Sequence, residues 1–358
     1  MATKIKEKRN AFTPLTVILL IALILYALSL FYLLAWAVST SFKVNSDIFH
    51  MDPGGLLPNY DSYFKYFNDQ VAEWTVKLKN ASTFAEINEA ETMLTGAKRK
   101  LAALTKAKEE MHGLIPFHTY VNMFKGFTIK TAAVFGQPAG EIGMAKMYLN
   151  SILYATGCAF AATFVPCIAA YACARFKFKF SRIMHTTVII VMMIPIVGSM
   201  PSEIEVAKTL GFMNQIWGLW LMKANFLGLY FLMFYDVCKA LPASFSEAAK
   251  IDGANNFQIF FKIAMPLLKN TFMTVLLILF ISFWNDYQTP MVYMPSFPVI
   301  AVGLNTVMTT NAYAGRYDHT MVPARMAIAV MTAVPVIILF ACFQKRLLGN
   351  LTVGGVKG

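Results

Sequence analysis

Residues 247–267, EAAKIDGANNFQIFFKIAMPL, form a polar and irregular stretch between two long apolar runs. We predict a helix, a turn and a second helix here. Gly253 permits a tight turn or the close approach of another surface, Phe257 belongs to an amphipathic second helix, and Pro266 marks where the next membrane segment begins. The small-residue face of the first helix comprises Ala248, Ala249, Ile251 and Ala254. A short helix of this kind favours docking into a groove on a cytoplasmic partner, and an ordinary amphipathic connector is the alternative.

The composition indicates a membrane protein. Of the 358 residues, 57% are hydrophobic and 14% are charged, and the mean hydropathy is +0.55. This is too apolar for a soluble domain of that length. Uncharged runs of about 20 residues recur, which is the length that crosses a hydrocarbon core of about 30 Å. The net charge of +12 is explained by basic loops on the cytoplasmic side, because no basic patch interleaved with aromatic residues indicates nucleic-acid binding.

We predict an all-α fold, a polytopic bundle of six transmembrane helices with both termini in the cytoplasm. The six spans cover about 13–39, 148–174, 183–202, 213–235, 271–284 and 326–344. This count leaves every basic cluster on one side of the membrane. The predicted domains are a cytoplasmic N-terminus with the first transmembrane helix (1–43), an external segment (44–146) and a five-helix core (147–358). The core carries a cytoplasmic loop at 240–267 and a cytoplasmic C-terminal tail.

The external segment is predicted to contain an extra helical hairpin at about 61–112. The apolar positions of its first helix are Phe64, Phe67, Val71, Trp74 and Leu78, which step by three and four. The seam of its second helix comprises Ile87, Ala90, Leu94, Ala97, Leu101, Leu104 and Met111. Thr83 and Glu86 form a predicted capping box at the start of that helix. A solvated rigid strut and a docking surface for an external partner are both compatible with this pattern.

The sequence offers no catalytic residue and no metal site. The cysteines lie in or beside apolar runs, with neither paired nor metal-type spacing, at Cys158, Cys167, Cys173, Cys238 and Cys342. The motifs GxxxxGK(S/T), HExxH and GxSxG are absent from the sequence. We therefore expect no enzyme activity in this chain and no ATP binding through a phosphate loop.

The 247–267 stretch resembles the EAA loop of the membrane subunits of ATP-binding-cassette importers. The positions that carry the motif are Glu247, Ala248, Ala249, Gly253, Pro266 and Leu267, the last two in the order Pro–Leu. The Asp252–Gly253–Ala254 continuation is most similar to the carbohydrate branch of the family. Further matching segments are 41–43 (SFK), 150–151 (NS), 170–175 (AYACAR), 284–286 (WND) and 354–358 (GGVKG). The chain most resembles the smaller maltose-type permease subunit and departs from it in the hairpin at about 61–112.

The resemblance implies a binding-protein-dependent permease subunit for a sugar or oligosaccharide, in the bacterial cytoplasmic (inner) membrane. Besides the lipid bilayer, the implied partners are a homologous second permease subunit, two cytoplasmic ATPase subunits and an external solute-binding protein. ATP and Mg²⁺ would bind to the ATPases, and this chain would hold no cofactor. The implied ATPase-coupling residues are Glu247, Ala248, Ala249, Asp252, Gly253, Ala254, Phe257 and Pro266. We expect Gly253 to permit close approach at that interface. Glu247 either has a structural role in the loop, as a cap of its own helix or in an ion pair, or pairs with a basic residue of the ATPase.

Four residues are candidates for the substrate path: Lys223, Trp284, Asn285 and Asp286. Lys223 is the one clear charge inside a predicted span. Such a charge faces a cavity or a partner charge, or its long side chain reaches to the membrane surface. The Trp284–Asp286 group either contacts sugar by stacking and hydrogen bonds or anchors the fifth span at the interface.

Other functions remain open from the sequence. In the same class of importer, a glycerol-phosphate or a polyol could replace the sugar. An ion-coupled secondary carrier would act alone, but such carriers usually show inverted repeats and intramembrane acids, and the spans here hold almost no acidic residue. A purely structural membrane scaffold is the third alternative, and the 247–267 stretch argues against it.

Overall fold

The computed structural model describes residues 14–43, 60–110, 117–176, 179–194, 198–309 and 322–351, which are mostly helical. The helices are α1 (Pro14–Ser41), α2 (Tyr60–Asn80), α3 (Phe84–Glu110), α4 (His118–Gly126), α5 (Met144–Arg175), α6 (Lys179–Met193), α7 (Met200–Thr209), α8 (Ile216–Lys223), α9 (Leu229–Ala240), α10 (Ala243–Ile251), α11 (Asn256–Ile259), α12 (Met265–Asn285), α13 (Gln288–Tyr293), α14 (Ile300–Thr309) and α15 (Val322–Leu351). A π-helical turn, Phe260–Ala264, joins α11 to α12, and strands β1 (Thr128–Thr131) and β2 (Gly140–Gly143) precede α5. The described residues of 1–123 and 318–330 form one compact unit, and those of 124–317 and 331–358 form a second.

Helix α1 is long and apolar enough to cross a membrane. Its 28 residues extend over about 42 Å at about 1.5 Å per residue. Its buried residues are Ser39, Thr40 and Ser41. The hydroxyl of Ser41 hydrogen-bonds the hydroxyl of Tyr120 in α4, and the ring of Phe42 packs against that of Tyr120 with centroids 5.3 Å apart. The C-terminal end of α1 is therefore fixed to α4.

Helices α2 and α3 are joined by residues 81–83 and pack against each other. Buried side chains at their contact are Phe67, Ala90, Leu94 and Ala97, and the spacing within α3 is that of the predicted seam. Ile87 is exposed, because it lies in the first turn of α3, beyond the buried part of the contact. The side chains of Leu104 and Met111 lie outside the described residues.

The start of α3 is held by the carboxylate of Glu86. It accepts hydrogen bonds from the backbone N–H groups of Ser82 (3.1 Å) and Thr83 (3.2 Å), which is the Glu86 half of the predicted capping box. These backbone hydrogen bonds lower the pKa of Glu86 below its ordinary value of 4.5. The stabilisation that a lowered carboxyl pKa provides is present above the ordinary pKa and is lost as the pH falls through the lowered pKa.

We expect Glu86→Gln to loosen the start of α3 at neutral pH, because a neutral amide accepts hydrogen bonds more weakly than a carboxylate. Hydrogen–deuterium exchange of the amides of residues 82–87, corrected for intrinsic rates, should become faster. Glu89→Gln, which changes another exposed carboxylate of the same helix, is the control and should leave these rates unchanged. In the parent chain the same protection should fade on acidification below pH 4.5. Equal exchange in the parent and in Glu86→Gln would contradict this cap.

The antiparallel pair β1–β2 departs from the predicted all-α fold. Thr128 lies opposite Gly143, and Thr131 lies opposite Gly140. The connection turns at Phe135 and Gly136, with φ values of 50° and 78°. Strands of four residues are too short for a clear alternation of apolar and polar side chains, and a Phe stands where Asn or Asp usually marks such a turn. The sequence therefore carries little signal for this small sheet.

Helix α5 is the central helix of the second unit. It contacts α6, α8, α9, α12 and α14. Towards its C-terminal end, Cys167 packs in one hydrophobic cluster with Phe231 of α9 and Leu268 of α12. Towards its N-terminal end, Tyr154 packs in a second cluster with Leu219 of α8. Movement of α5 would therefore act directly on these five helices.

Four helices in the described part of the chain are long and apolar enough to cross a membrane: Pro14–Ser41, Met144–Arg175, Asn256–Asn285 and Val322–Gln344. They contain the first, second, fifth and sixth predicted spans. The third predicted span, 183–202, is divided between the shorter apolar helix α6 and the start of α7, and residues 195–197 lie outside the described residues.

The fourth predicted span, 213–235, is two helices rather than one. Helix α8 ends at Lys223 and α9 begins at Leu229, and residues 224–228 belong to no helix. The N–H of Asn225 donates to the carbonyl oxygen of Lys223 at 2.9 Å, which closes a tight turn after α8. Lys223, Asn225 and Gly228 lie within six positions and favour this break. The mean hydropathy of the whole segment is still high, so a search for apolar runs does not detect the break.

Candidate coupling surface

The 247–267 stretch folds as a helix, a turn and a second helix, as the sequence predicts. The first helix, α10, begins at Ala243, four residues before the EAA motif, and ends at Ile251. Pro242 occupies its N-cap, where the fixed φ of proline suits the start of a helix and no backbone N–H is lost from its interior. Ala254 lies beyond the turn, so the predicted small-residue face is wrong at that position.

Gly253 ends α10 in a left-handed conformation, with φ of +82°. The N–H of Ala254 donates to the carbonyl oxygen of Ala249 at 2.9 Å, and the N–H of Gly253 donates to that of Lys250 at 3.0 Å. These two hydrogen bonds form a Schellman motif, which requires a left-handed residue and favours glycine there. Apart from its chain neighbours, no atom of the described residues lies within 4 Å of the position that a Cβ would take. Within this chain, Gly253 therefore serves the turn.

A reciprocal capping box starts α11, and the sequence analysis missed it. The side-chain oxygen of Asn255 accepts from the N–H of Gln258 at 2.8 Å, and the side-chain oxygen of Gln258 accepts from the N–H of Asn255 at 2.9 Å. The signal is an Asn followed three residues later by a Gln. Two successive caps, at Gly253 and Asn255, fix the angle between α10 and α11.

Large apolar side chains are exposed on both sides of this turn. Ile251 is 87% exposed and Phe257 is 77% exposed, while Phe245 and Phe261 are each about half exposed. Burying each such side chain is worth about 1.5–3 kcal/mol relative to leaving it in water. We name this the α10–α11 surface, defined by Phe245 and Ile251 of α10, Phe257 of α11 and Phe261 of the following π-helical turn. Exposed apolar side chains of this size are typical of a contact surface for another protein.

Glu247 does not cap its own helix, so that interpretation is wrong. It lies in the fifth position of α10, past the N-cap at Pro242, and is exposed. Among the described residues, no ion pair or side-chain hydrogen bond of Glu247 is found. Its carboxylate is therefore available for a group outside this chain.

The four substrate-path candidates lie away from the α10–α11 surface and have different surroundings. Lys223 is half-buried at the C-terminal end of α8, where a cation suits the negative end of the helix dipole. Asp286 accepts from the hydroxyl of Tyr154 at 2.8 Å and from the N–H of Thr289 at 3.1 Å. Within the described residues no ion pair joins Lys223 to Asp286.

Trp284 is buried, unlike its neighbour Asn285. The indole N–H donates to the carbonyl oxygen of Thr332 at 3.0 Å, and the ring stacks on Phe280 with centroids 5.8 Å apart. Burial in this arrangement leaves no free ring face for a sugar and favours the anchoring interpretation. Asn285 is exposed, and its side-chain amide donates to the carbonyl oxygen of Ile281 at 2.9 Å.

Comparison with known sequences identifies the family. Residues 162–349 match the family described as "Binding-protein-dependent transport system inner membrane component". The matched range contains every helix from α6 to α14 and includes the α10–α11 surface with its turn.

Two relatives and one solved structure are similar to the chain. The arabinooligosaccharides transport system permease protein AraQ of Halalkalibacterium halodurans is 32% identical over 190 residues, covering 52% of this chain and 65% of that protein. The chain thus spans slightly less than two thirds of that relative. The melibiose/raffinose/stachyose import permease protein MelC of Bacillus subtilis is 26% identical over 226 residues, covering 63% of this chain and 80% of that protein. The crystal structure of a bacterial ABC transporter involved in the import of the acidic polysaccharide alginate is 22% identical, with a TM-score of 0.49, and the match covers 74% of this chain and 99% of that chain.

The family match extends over more than half of the chain, and both relatives are permease proteins by name. The several apolar helices agree with a multi-pass protein of the inner membrane. The chain therefore belongs to the family of binding-protein-dependent transport system inner membrane components.

Proposed function

We propose that this chain is one of two membrane-spanning subunits of an ATP-driven importer for a sugar or oligosaccharide. The observation that carries the proposal is the α10–α11 surface. It exposes large apolar side chains on two helices whose mutual angle is fixed by two caps. A rigid, apolar, unburied surface of this kind suits docking into a groove of a second protein. The second protein is an ATPase, and a solute-binding protein delivers the sugar from outside.

The proposed roles of the subunits follow from the motifs present in this chain. Its sequence has no phosphate-binding loop, so ATP and Mg²⁺ bind to two partner ATPase subunits. A homologous second permease subunit completes the transport path. The coupling residues are those of α10 and the turn, Glu247, Ala248, Ala249, Asp252, Gly253 and Ala254, together with Phe257 and Pro266. Glu247, which is exposed and free of partners within the described residues, pairs with a basic side chain of the ATPase.

The proposed topology has six spans, with the α2–α3 hairpin outside and both termini in the cytoplasm. Four long apolar helices supply the first, second, fifth and sixth spans. The third crossing is made by α6 with α7, and the fourth by α8 with α9. Non-helical backbone between two such helices is tolerated inside a membrane only where other parts of the protein cover it or where it lines a cavity. The half-buried Lys223 at the break between α8 and α9 fits a cavity-lining position.

A sugar is favoured over a glycerol-phosphate or polyol as the solute. The relatives compared above are named for arabinooligosaccharides and for melibiose, raffinose and stachyose. Lys223, Asn285 and Asp286 are the proposed polar lining of the path, and Trp284 holds the end of α12 in place. An ion-coupled carrier acting alone is disfavoured, because the family is one of binding-protein-dependent transport.

Replacing Ile251 and Phe257 together by Ser is expected to weaken association with the ATPase by at least about tenfold, because two apolar contacts of about 1.5–3 kcal/mol each are lost. Thermal stability of the isolated chain should not change, since both side chains are exposed there. Val206→Ser removes an exposed apolar side chain from α7 and is the matched control. The measurement is the amount of ATPase that co-purifies with each variant at equal expression. Equal recovery from the double variant and the parent would contradict docking at this surface.

Purification from the native membrane followed by reconstitution in liposomes tests the proposed function. We expect an ATPase and a second permease to co-purify, and solute uptake to require both ATP and the external binding protein. Uptake by this chain alone, without ATP, would contradict the proposal.

A further inference from the structure

Arg175 connects three helices at the end of α5 that is nearest to α10. It is the last residue of α5, and its guanidinium Nη2 donates to the carbonyl oxygen of Leu241 at 2.9 Å. Leu241 is the C-cap of α9, and the next residue, Pro242, is the N-cap of α10. In the described part of the chain, this is the only side-chain hydrogen bond between α5 and residues 241–251.

Helix α10 is otherwise loosely seated. Its buried residue is Ala249, and two clefts adjoin it. The larger has a volume of about 140 Å³ and includes Arg175, Glu247 and Lys250 in its lining. The smaller, of about 10 Å³, is lined by Arg175, Pro242 and others. Since Arg175 borders both clefts, its hydrogen bond to Leu241 supports the start of α10 where close packing is lacking.

Only part of the hydrogen-bonding capacity of the guanidinium is used within the described residues. Its Nη2 bonds Leu241, whereas its Nε has no hydrogen-bond partner there. A guanidinium carries five N–H donors in a fixed plane, so donors besides the one that bonds Leu241 remain at the clefts that Arg175 lines.

We propose that Arg175 is a positioning residue that makes α5 follow the displacement of α10. The proposal rests on the proposed function, in which an ATPase moves the α10–α11 surface. The chain itself connects α10 to α9, and Arg175 adds α5, which contacts α6, α8, α9, α12 and α14. From Tyr171, beside Arg175, to Tyr154, which bonds Asp286, α5 extends over about 25 Å at 1.5 Å per residue. Arg175 thus adds a polar link between the start of α10 and α5, beside the packing of Tyr171 against Phe260 with ring centroids 4.9 Å apart.

The first test compares solute transported per ATP hydrolysed in the reconstituted complex. Arg175→Ala should assemble with the ATPase and hydrolyse ATP, yet transport about tenfold less solute per ATP, an effect of ordinary size for a coupling between two sites. Arg175→Lys keeps one hydrogen-bond donor for the carbonyl oxygen of Leu241. It should transport at least half as much solute per ATP hydrolysed as the parent does. Arg182→Ala removes an exposed cation from α6 and should match the parent. A lysine variant as uncoupled as the alanine variant would overturn the proposal.

The second test measures the distance between α10 and α5 with and without ATP. A loss of stability alone would not make this distance differ between the two states. Spin labels are placed at Ser244→Cys on α10 and Ile168→Cys on α5, both exposed, after Cys342, the exposed native cysteine, is replaced by Ser. In the parent, the distance should be the same without nucleotide and with ATP. In Arg175→Ala it should differ between the two states.

The outcomes separate this inference from the proposed function. A parent-like transport ratio and an unchanged distance in Arg175→Ala would overturn the inference while leaving the importer intact. If Arg175→Ala does not assemble with the ATPase, Arg175→Gln is used instead, because glutamine is uncharged and shorter than arginine. The same transport ratio and the same distance are then measured. Failure of the parent complex to bind an ATPase would instead overturn the proposed function.

Discussion

Gly253→Asp is expected to leave the chain in the membrane and to reduce ATP-driven transport by at least about tenfold. At the φ of +82° that Gly253 adopts, an aspartate is tolerated better than most L-residues, so we expect the turn itself to form. The change places a carboxylate on the α10–α11 surface, where an unpaired charge is costly to bury against the ATPase. Uptake and ATP hydrolysis by the reconstituted complex, with membrane content measured in parallel, report the effect.

Two further variants separate the turn from the docking surface. Gly253→Asn adds bulk without charge and tolerates the left-handed conformation, whereas the β-branched side chain of Gly253→Val does not. If transport is lost in Gly253→Val but not in Gly253→Asn, the role of Gly253 is to form the turn. A loss of transport in Gly253→Asn as well would assign the role to close approach of the partner, since in the described part of the chain only the neighbouring residues lie within 4 Å of a Cβ there. If Gly253→Asp and Gly253→Val both transport solute as well as the parent does, Gly253 has no role in coupling.

Gly157→Leu is expected to destabilise the folded chain by at least about 1–3 kcal/mol, the usual cost of overpacking a core. A Cβ on Gly157 would overlap the indole of Trp220. That indole donates to the carbonyl oxygen of Leu153 at 3.1 Å, so its displacement also breaks a hydrogen bond between α8 and α5. Thermal unfolding of the purified chain in detergent should therefore begin at a lower temperature.

Gly143→Ala is the control for that experiment. Gly143 is the N-cap of α5 with φ of −77°, and beyond its chain neighbours no described residue has an atom within 4 Å of a Cβ placed there. Its unfolding temperature should stay close to that of the parent. A Gly157→Leu chain that melts with the parent would show that α8 does not depend on close packing against α5.

The helix, turn and second helix at 247–267 could be predicted from the sequence because the signals there are local. A glycine that must adopt positive φ, a proline before α10 and an exposed run of mixed apolar and polar residues all act within a few positions. Pro242 before α10 and the pair Asn255 and Gln258 are signals of the same local kind, and neither helix start was predicted from them. Both follow from rules that apply to any helix.

The surroundings of the substrate-path candidates depend on residues that are distant in the sequence. Asp286 is bonded by Tyr154, and Trp284 by the backbone of Thr332. No pattern around residue 284 indicates that its indole is buried while Asn285 is exposed. The break between α8 and α9 is a similar case, because a run that reads as one span is interrupted by turn geometry at Lys223 and Asn225.

Photo-crosslinking from the α10–α11 surface in the native membrane tests the central claim most directly. A photoreactive residue at Phe257, which is 77% exposed, is compared with one at Phe260, which is buried three positions away. We predict that position 257 crosslinks to an ATP-hydrolysing protein and that position 260 gives no such product. Crosslinking of position 257 only to lipid, or to this chain itself, would contradict the assignment of this surface to ATPase coupling.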